Sequence, residues 1–233
     1  MTRDTSIGGP DPRFPDTRPT VVRALVDGDG TLRRQSQELL VTAYWKPVYK
    51  HVRLRWRESN EGAKDLTQAF FSKVLEGGTL SGYDPGKGTF RTYLRVCVDG
   101  FLLNERKRAG RLKRAGDAQS VPLDFDVPSP QLIEEAFQRE WARSVFTLAL
   151  EDLRGRADPR FPVFERYDLT EAAERPTYEQ LGSEFGIGAA TVTNYLAAMR
   201  RELRKAVLAK LRELTATERE FRSEARAVLG IEL

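Results

Sequence analysis

Apolar residues in the first third of the chain recur every three or four positions. They do so from Leu32 to Trp45, and again along a stripe from Val48 to Trp56. This 3.6-residue period predicts amphipathic helices. Because proline interrupts helical hydrogen bonding, we expect a second helix to start, or the helix to kink, at Pro47.

Two more helices are indicated before residue 113. Asn60 can cap a helix from Glu61 to Leu75, which the pair Gly77-Gly78 would end. The segment SGYDPGKG that follows has strong turn chemistry. Thr89 then caps a long apolar helix that runs into a cluster of basic residues.

The segment from Thr177 to Arg204 predicts a helix, a tight turn and a second helix. Thr177 and Gln180 have the spacing of a capping box, and Gly186-Ile187-Gly188 breaks the first helix. Val192, Leu196 and Met199 form the inner stripe of the second helix. Its other face then presents Thr191, Thr193, Asn194 and Tyr195, as a helix lying in a DNA major groove requires. An ordinary helical hairpin with a glycine turn would show the same pattern.

No alternating pattern indicates a sheet, so we expect an all-α fold of two small helical domains joined by a flexible linker. The predicted parts are a disordered arm (1–20), a first helical domain (21–113), the linker (114–130), a second helical domain (131–213) and a helical extension (214–233). The sequence does not indicate what the extension contacts.

Composition adds a prediction of cellular location. Of 233 residues, 40% are hydrophobic and 31% charged, which is typical of a soluble helical protein. No apolar run approaches the roughly 18 residues of a membrane span, and the first twenty residues lack the apolar block of a secretory signal. With Cys97 as its single cysteine, the chain is expected to be cytoplasmic, without membrane association.

The charge is unevenly distributed, although the net charge is only +4. Residues 104–114 and 197–212 are strongly basic, and residues 117–140 between them are acidic. This pattern indicates two contacts with a polyanion. Ordinary helices that end in lysine and arginine would also produce it.

Materials for catalysis are scarce. The single histidine, His51, is expected to be a surface or partly packed residue, and Cys97 has no histidine near it in sequence. The segment GYDPGKGT lacks the spacing of a phosphate-binding loop, and no metal-ligand spacing occurs. We therefore expect no enzyme, metal or cofactor. A nuclease or other magnesium-dependent enzyme built on acids such as Asp65 and Asp84 is an alternative.

The long helix after Thr89 has the composition of a single-strand reader. Aromatic faces stack on unpaired bases, arginines hold phosphates and an asparagine amide can contact a base edge. The candidate residues are Arg91, Tyr93, Asn104, Arg106, Lys107 and Arg108. The aromatic residues could instead be buried in the core.

Two motifs resemble the bacterial extracytoplasmic-function (ECF) RNA polymerase sigma factors. GAKDLTQAFFSKVL followed by YDPGKGTFRTYLRVCVDGFLLNERKR is similar to the family's second sigma domain. The helix-turn-helix is similar to the fourth sigma domain. Together the two regions run from Leu39 to Leu211.

This resemblance implies a promoter-recognition subunit that helps core RNA polymerase to open promoter DNA. Asp65, Gln68 and Phe71 would contact the polymerase clamp helices. The minus-10 strand would be read by Arg91, Tyr93, Asn104, Arg106, Lys107 and Arg108. The minus-35 duplex would be read by Thr191, Thr193, Asn194, Tyr195, Arg200 and Arg201. The sequence does not reveal whether an anti-sigma protein is a further partner.

The chain departs from the family pattern at several positions. Asp99-Gly100 stands where the family has Arg-Asn, and Ala197 and Ala198 replace basic residues. The tail after Leu211 is additional. These departures indicate a divergent member of the family. The alternative function is a helix-turn-helix DNA-binding regulator that does not engage core polymerase.

Overall fold

The computed structural model describes residues 21–22, 30–113 and 129–231, and all regular structure in these residues is helical. The all-α fold class is thereby confirmed. The helices are α1 (Gly30–Arg55), α2 (Asn60–Glu76), α3 (Phe90–Lys113), α4 (Pro130–Gly155), α5 (Phe161–Asp168), α6 (Tyr178–Phe185), α7 (Ala189–Leu214) and α8 (Glu218–Leu229), with a 3-10 turn at Ala172–Glu174. The predicted arm and nearly all of the predicted linker lie outside the described residues.

Helix α1 continues through Pro47, so the expected start of a second helix there is wrong. A proline inside a helix costs about 3 kcal/mol, because it lacks an N–H and its ring crowds the preceding turn. Pro47 is buried, and so are Tyr44 and Val48 on either side of it. Burial of these side chains favours the folded state and opposes the cost. It depends on packing partners that local sequence rules do not include.

Local capping chemistry fixes the ends of α2 and the start of α3. The hydroxyl of Ser59, one residue before the expected cap, accepts a 3.0 Å hydrogen bond from the N–H of Gly62. Gly77 ends α2 with a φ of +105°, a value that favours glycine. At the start of α3, the Thr89 hydroxyl accepts from the N–H of Thr92 at 3.3 Å, as predicted.

Helix α1 packs along α4, which joins the helices before and after the predicted linker in one hydrophobic core. The rings of Tyr44 and Trp141 are 6.3 Å apart, and the edge of His51 meets Phe137 at 6.0 Å. Both helices carry apolar stripes, and each stripe is removed from water by the other. From the sequence, these stripes were expected to lie in separate domains.

Helix α8, which belongs to the C-terminal extension, returns to the start of α3. Its Glu220 accepts a 2.6 Å hydrogen bond from the backbone N–H of Phe90. The predicted extension is thus helical and packs against the first set of helices. No helix in the described ranges is both long enough and apolar enough to cross a membrane.

Candidate nucleic-acid interface

The first helix of the helix-turn-helix begins with the predicted capping box. The Thr177 hydroxyl accepts from the N–H of Gln180 at 3.2 Å, and the Gln180 side chain accepts from the N–H of Thr177 at 2.8 Å. Gly186 ends α6 in the left-handed conformation, with a φ of +66°. Both ends of this helix are therefore set by local chemistry.

A close approach of backbones then holds α6 against α7. A Cβ added at Gly182 would lie 2.6 Å from the carbonyl oxygen of Ile187, so only glycine fits there. The inner stripe of α7, at Val192, Leu196 and Met199, is fully buried. These contacts define a helix-turn-helix in which the buried inner stripe fixes the position of the second helix.

The outer face of α7 carries no charged side chain in its first two turns. Thr193 and Asn194 are exposed, whereas Thr191 and Tyr195 are half-buried. The Thr193 hydroxyl donates to the carbonyl of Ala189 at 3.1 Å, so its hydrogen is already used within the helix. Asn194 therefore carries the most available polar group on this face.

The two arginines that follow differ in their surroundings. Arg200 donates from Nε and Nη2 to the two carboxylate oxygens of Asp168, at 2.9 and 2.8 Å. These hydrogen bonds raise the pKa of Arg200 and fix its guanidinium beside α5. Arg201 is exposed and makes no ion pair within the described part of the chain. Arg201 is thus the more available group for a phosphate.

At the start of α3, Arg91 is buried against the C-terminal half of the chain. Its side chain is 12% exposed, and its Nη1 lies 3.1 Å from Oε2 of Glu224. The guanidinium also lies over the ring of Trp141, 4.9 Å from the ring centroid. In this arrangement little of the Arg91 side chain is accessible to a DNA strand.

Tyr93 lies in an intermediate position. Its ring is 5.4 Å from that of Tyr83, and burial together with a hydrogen bond to Cys97 raises its pKa to about 12. The side chain is half-buried against the loop before α3. Part of the ring remains accessible for stacking.

The last turns of α3 present the remaining candidates. Asn104 and Lys107 are exposed, and Arg108 pairs with Glu105 at 3.1 Å. Arg106 is engaged with the loop after α1, where it donates to the carbonyl of Trp56 at 2.6 Å and covers the ring of Trp56. Asn104 and Lys107 are therefore the freest of this group.

Asp99, one of the departures from the family pattern, anchors α3 to α1. Its Oδ1 accepts hydrogen bonds from Nε2 of His51 at 2.8 Å and from Nε1 of Trp56 at 2.7 Å. Burial by itself raises the pKa of Asp99, but these hydrogen bonds outweigh it and the net pKa is lowered. His51 is buried at 4% exposure, more deeply than the sequence analysis expected.

The candidate polymerase-binding residues on α2 are divided between surface and core. Asp65 and Gln68 are exposed on one face of the helix. Phe71 is 2% exposed and stacks on Trp45 at a centroid distance of 5.7 Å. Phe71 is therefore packed in the core, where it offers little surface to a partner.

The described residues contain no cluster of three or more histidine, cysteine or acidic side chains that could hold a metal ion. Two acids that the sequence patterns did not single out, Glu220 and Glu224, contact the start of α3. They are four residues apart and so share one helix face. This four-residue spacing of two acids was the sequence signal that could have identified them.

The fold and these surfaces define an all-helical protein with a helix-turn-helix. Among proteins of known role, the chain is 27% identical over 170 residues to "ECF RNA polymerase sigma factor SigE" of Mycolicibacterium smegmatis. The match covers 72% of this chain and 60% of that protein. It confirms the resemblance to the ECF sigma factors. No protein-family profile and no solved structure matches the chain.

Proposed function

We propose that this protein is a sigma factor that binds core RNA polymerase and directs transcription initiation at promoter DNA. The observation that carries the proposal is the order of two surfaces on one chain. The exposed Asp65-Gln68 face of α2 comes first, and a helix-turn-helix with an accessible second helix follows. The similarity to SigE extends over 170 residues and supports the same reading.

In this proposal α7 reads the minus-35 duplex. Asn194 is the candidate for a base edge, because its amide can pair with adenine in the major groove. Thr191, Thr193 and Tyr195 surround it, and Arg201 holds a phosphate. Arg200 acts through Asp168, by keeping α7 seated against α5.

The same proposal assigns the minus-10 strand to α3. Tyr93 supplies a stacking surface, and Asn104 and Lys107 supply polar contacts at the far end of the helix. Arg106 and Arg108 also contribute positive charge to this surface, although each of them is paired with a glutamate. Arg91 can join only after its contact with Glu224 opens.

Asp65 and Gln68 would bind the clamp helices of core polymerase. We expect that Asp65→Ala combined with Gln68→Ala lowers capture of the protein by purified core enzyme at least tenfold. Such a loss corresponds to about 1.4 kcal/mol, which is modest for two interface residues. Gln35→Ala is a matched control, since Gln35 is also an exposed glutamine on a helix.

Run-off transcription with core enzyme and genomic fragments provides the functional test. The wild type and the Gln35→Ala control should give promoter-dependent transcripts, and the α2 variant should not. Duplex binding without capture by core polymerase would instead support the regulator that does not engage polymerase. A folded wild-type protein that gives no transcript from any fragment would contradict the proposal.

A further inference from the structure

Glu220 of α8 accepts hydrogen bonds from three donors. Two of them lie at or just before the start of α3, and the third lies just after the end of α7. It accepts from the N–H of Phe90 at 2.6 Å, from the hydroxyl of Tyr83 at 3.3 Å and from the N–H of Ala216 at 2.9 Å. Glu220 is only 7% exposed. The N-terminus of α3 is thus completed by a carboxylate 130 residues away in sequence.

Glu224, one turn further along α8, covers Arg91. Its side chain is 3% exposed and lies 3.1 Å from the Arg91 guanidinium, which also packs over the ring of Trp141. Arg219 adds a third contact, because its guanidinium donates to the carbonyl of Pro85 at 3.1 Å. Helix α8 therefore holds both the start of α3 and the loop before it.

These contacts occupy groups that suit the backbone of a nucleic acid. An arginine and the N–H groups at a helix N-terminus are both ready partners for a phosphate. In the structure two carboxylates take these positions. A strand and α8 would therefore compete for the same end of α3.

We propose that α8 is an autoinhibitory clasp, which must leave the start of α3 before that helix can bind a single DNA strand. The inference depends on the proposed function only in its assignment of α3 to strand binding. It assigns the C-terminal extension a role that the resemblance does not supply.

The contact is suited to reversible release. Nη1 of Arg91 and Oε2 of Glu224 are close, yet they are not aligned for a hydrogen bond, and neither atom has another hydrogen-bond partner in the described residues. The Glu224 carboxylate is 3% exposed and so poorly solvated, and this burial raises its pKa. In a buried ion pair of this kind, the attraction between the charges offsets little of the free energy lost when they leave water.

Two variants of the full-length chain test the clasp with opposite changes of charge. Glu224→Gln removes the negative charge that faces Arg91, and Arg219→Ala removes the contact with Pro85. Their controls are Glu218→Gln and Arg222→Ala, which make the same charge changes on the exposed face of α8. Circular dichroism establishes that each variant folds.

The first measurement is hydrogen exchange without DNA, at the amide of Phe90 and along α8. The second is the affinity for a fluorescein-labelled single-stranded oligonucleotide of mixed sequence. We expect faster exchange and at least about fivefold tighter binding for Glu224→Gln than for Glu218→Gln. Arg219→Ala should also bind more tightly than Arg222→Ala, although both lose a positive charge.

Adding Arg91→Ala to the Glu224→Gln variant should abolish the gain in affinity, because that gain comes from contact of the DNA strand with the uncovered Arg91 side chain. Equal oligonucleotide affinity of each variant and its control would overturn the clasp while leaving the sigma-factor proposal intact. If no variant, control or wild-type protein bound the oligonucleotide, strand binding by α3 and the clasp would both be refuted.

Discussion

Asp99 lies on α3, a candidate DNA-reading helix, but its contacts stabilise the fold. Asp99 accepts hydrogen bonds from His51 and Trp56 and so ties α3 to α1. A longer basic residue there would place a positive charge beside a buried histidine. The resulting arrangement keeps the helix anchored but leaves no basic side chain at this point of its surface.

We expect Asp99→Asn to lower the free energy of unfolding at pH 7 by about 1 kcal/mol, because a charge-assisted hydrogen bond is lost at a partly solvated site. The pKa of Asp99 is lowered in the folded state, so its contribution is present above the unfolded value of about 3.9. It is lost as the pH falls through the folded pKa. Urea unfolding of wild type and variant should therefore converge below about pH 4.

Glu38→Gln is the control for that experiment, since Glu38 is an exposed acid on α1. Its unfolding free energy should follow that of the wild type at every pH. A constant difference between Asp99→Asn and wild type from pH 7 to pH 3 would contradict an ionised, hydrogen-bonded Asp99.

Arg200 and Arg201 should respond differently to substitution, although they are neighbours. Arg201→Ala should weaken duplex binding and reduce the slope of log affinity against log salt by about 0.9, the value for one phosphate contact. Arg200→Ala should chiefly lower thermal stability, because Arg200 is held by Asp168. Fluorescence anisotropy over a salt series, with a melting curve for each variant, separates the two effects. Equal slope changes for both arginines would show that the Asp168 pair opens on DNA.

At the scale of the element, two glycines in helices provide a matched comparison. Gly182 in α6 has no room for a Cβ, since the carbonyl of Ile187 would be 2.6 Å away, whereas Gly100 in α3 faces open space. Gly182→Ala should therefore destabilise the fold by about 1–3 kcal/mol. Gly100→Ala should stabilise it by about 0.5–1 kcal/mol, because alanine favours a helix. Denaturant unfolding checks both signs, and a stabilising Gly182→Ala would refute the close approach.

The elements that the sequence predicted well are those with local causes. The capping box at Thr177, the glycine turn and the end of α2 at Gly77 depend on residues within one or two turns, so their chemistry can be read directly. The burial of Phe71 and Arg91 depends on Trp45 and Trp141, which are distant in sequence. No spacing rule reports such contacts. For the same reason the sequence located α8 but not its partner.

At the scale of the whole molecule, the helices before and after the predicted linker share their core. Trp141 is central to this connection, because its ring is 6.3 Å from that of Tyr44 in α1 and also packs under Arg91 of α3. Phe164 is equally buried, but it lies in α5 among the later helices. Loss of each side chain should therefore have a different effect on cooperativity.

We expect the wild type to unfold in one transition. Trp141→Ala should lower its stability by about 3–5 kcal/mol and split the transition. The remaining tryptophans, Trp45 and Trp56, lie in and directly after α1 and report on the first set of helices by fluorescence, whereas circular dichroism reports on all helices. The two signals should separate in Trp141→Ala but coincide in Phe164→Ala, since the latter leaves the shared packing in place. Two transitions in the wild type would show that the two sets of helices unfold independently, which would contradict a shared core.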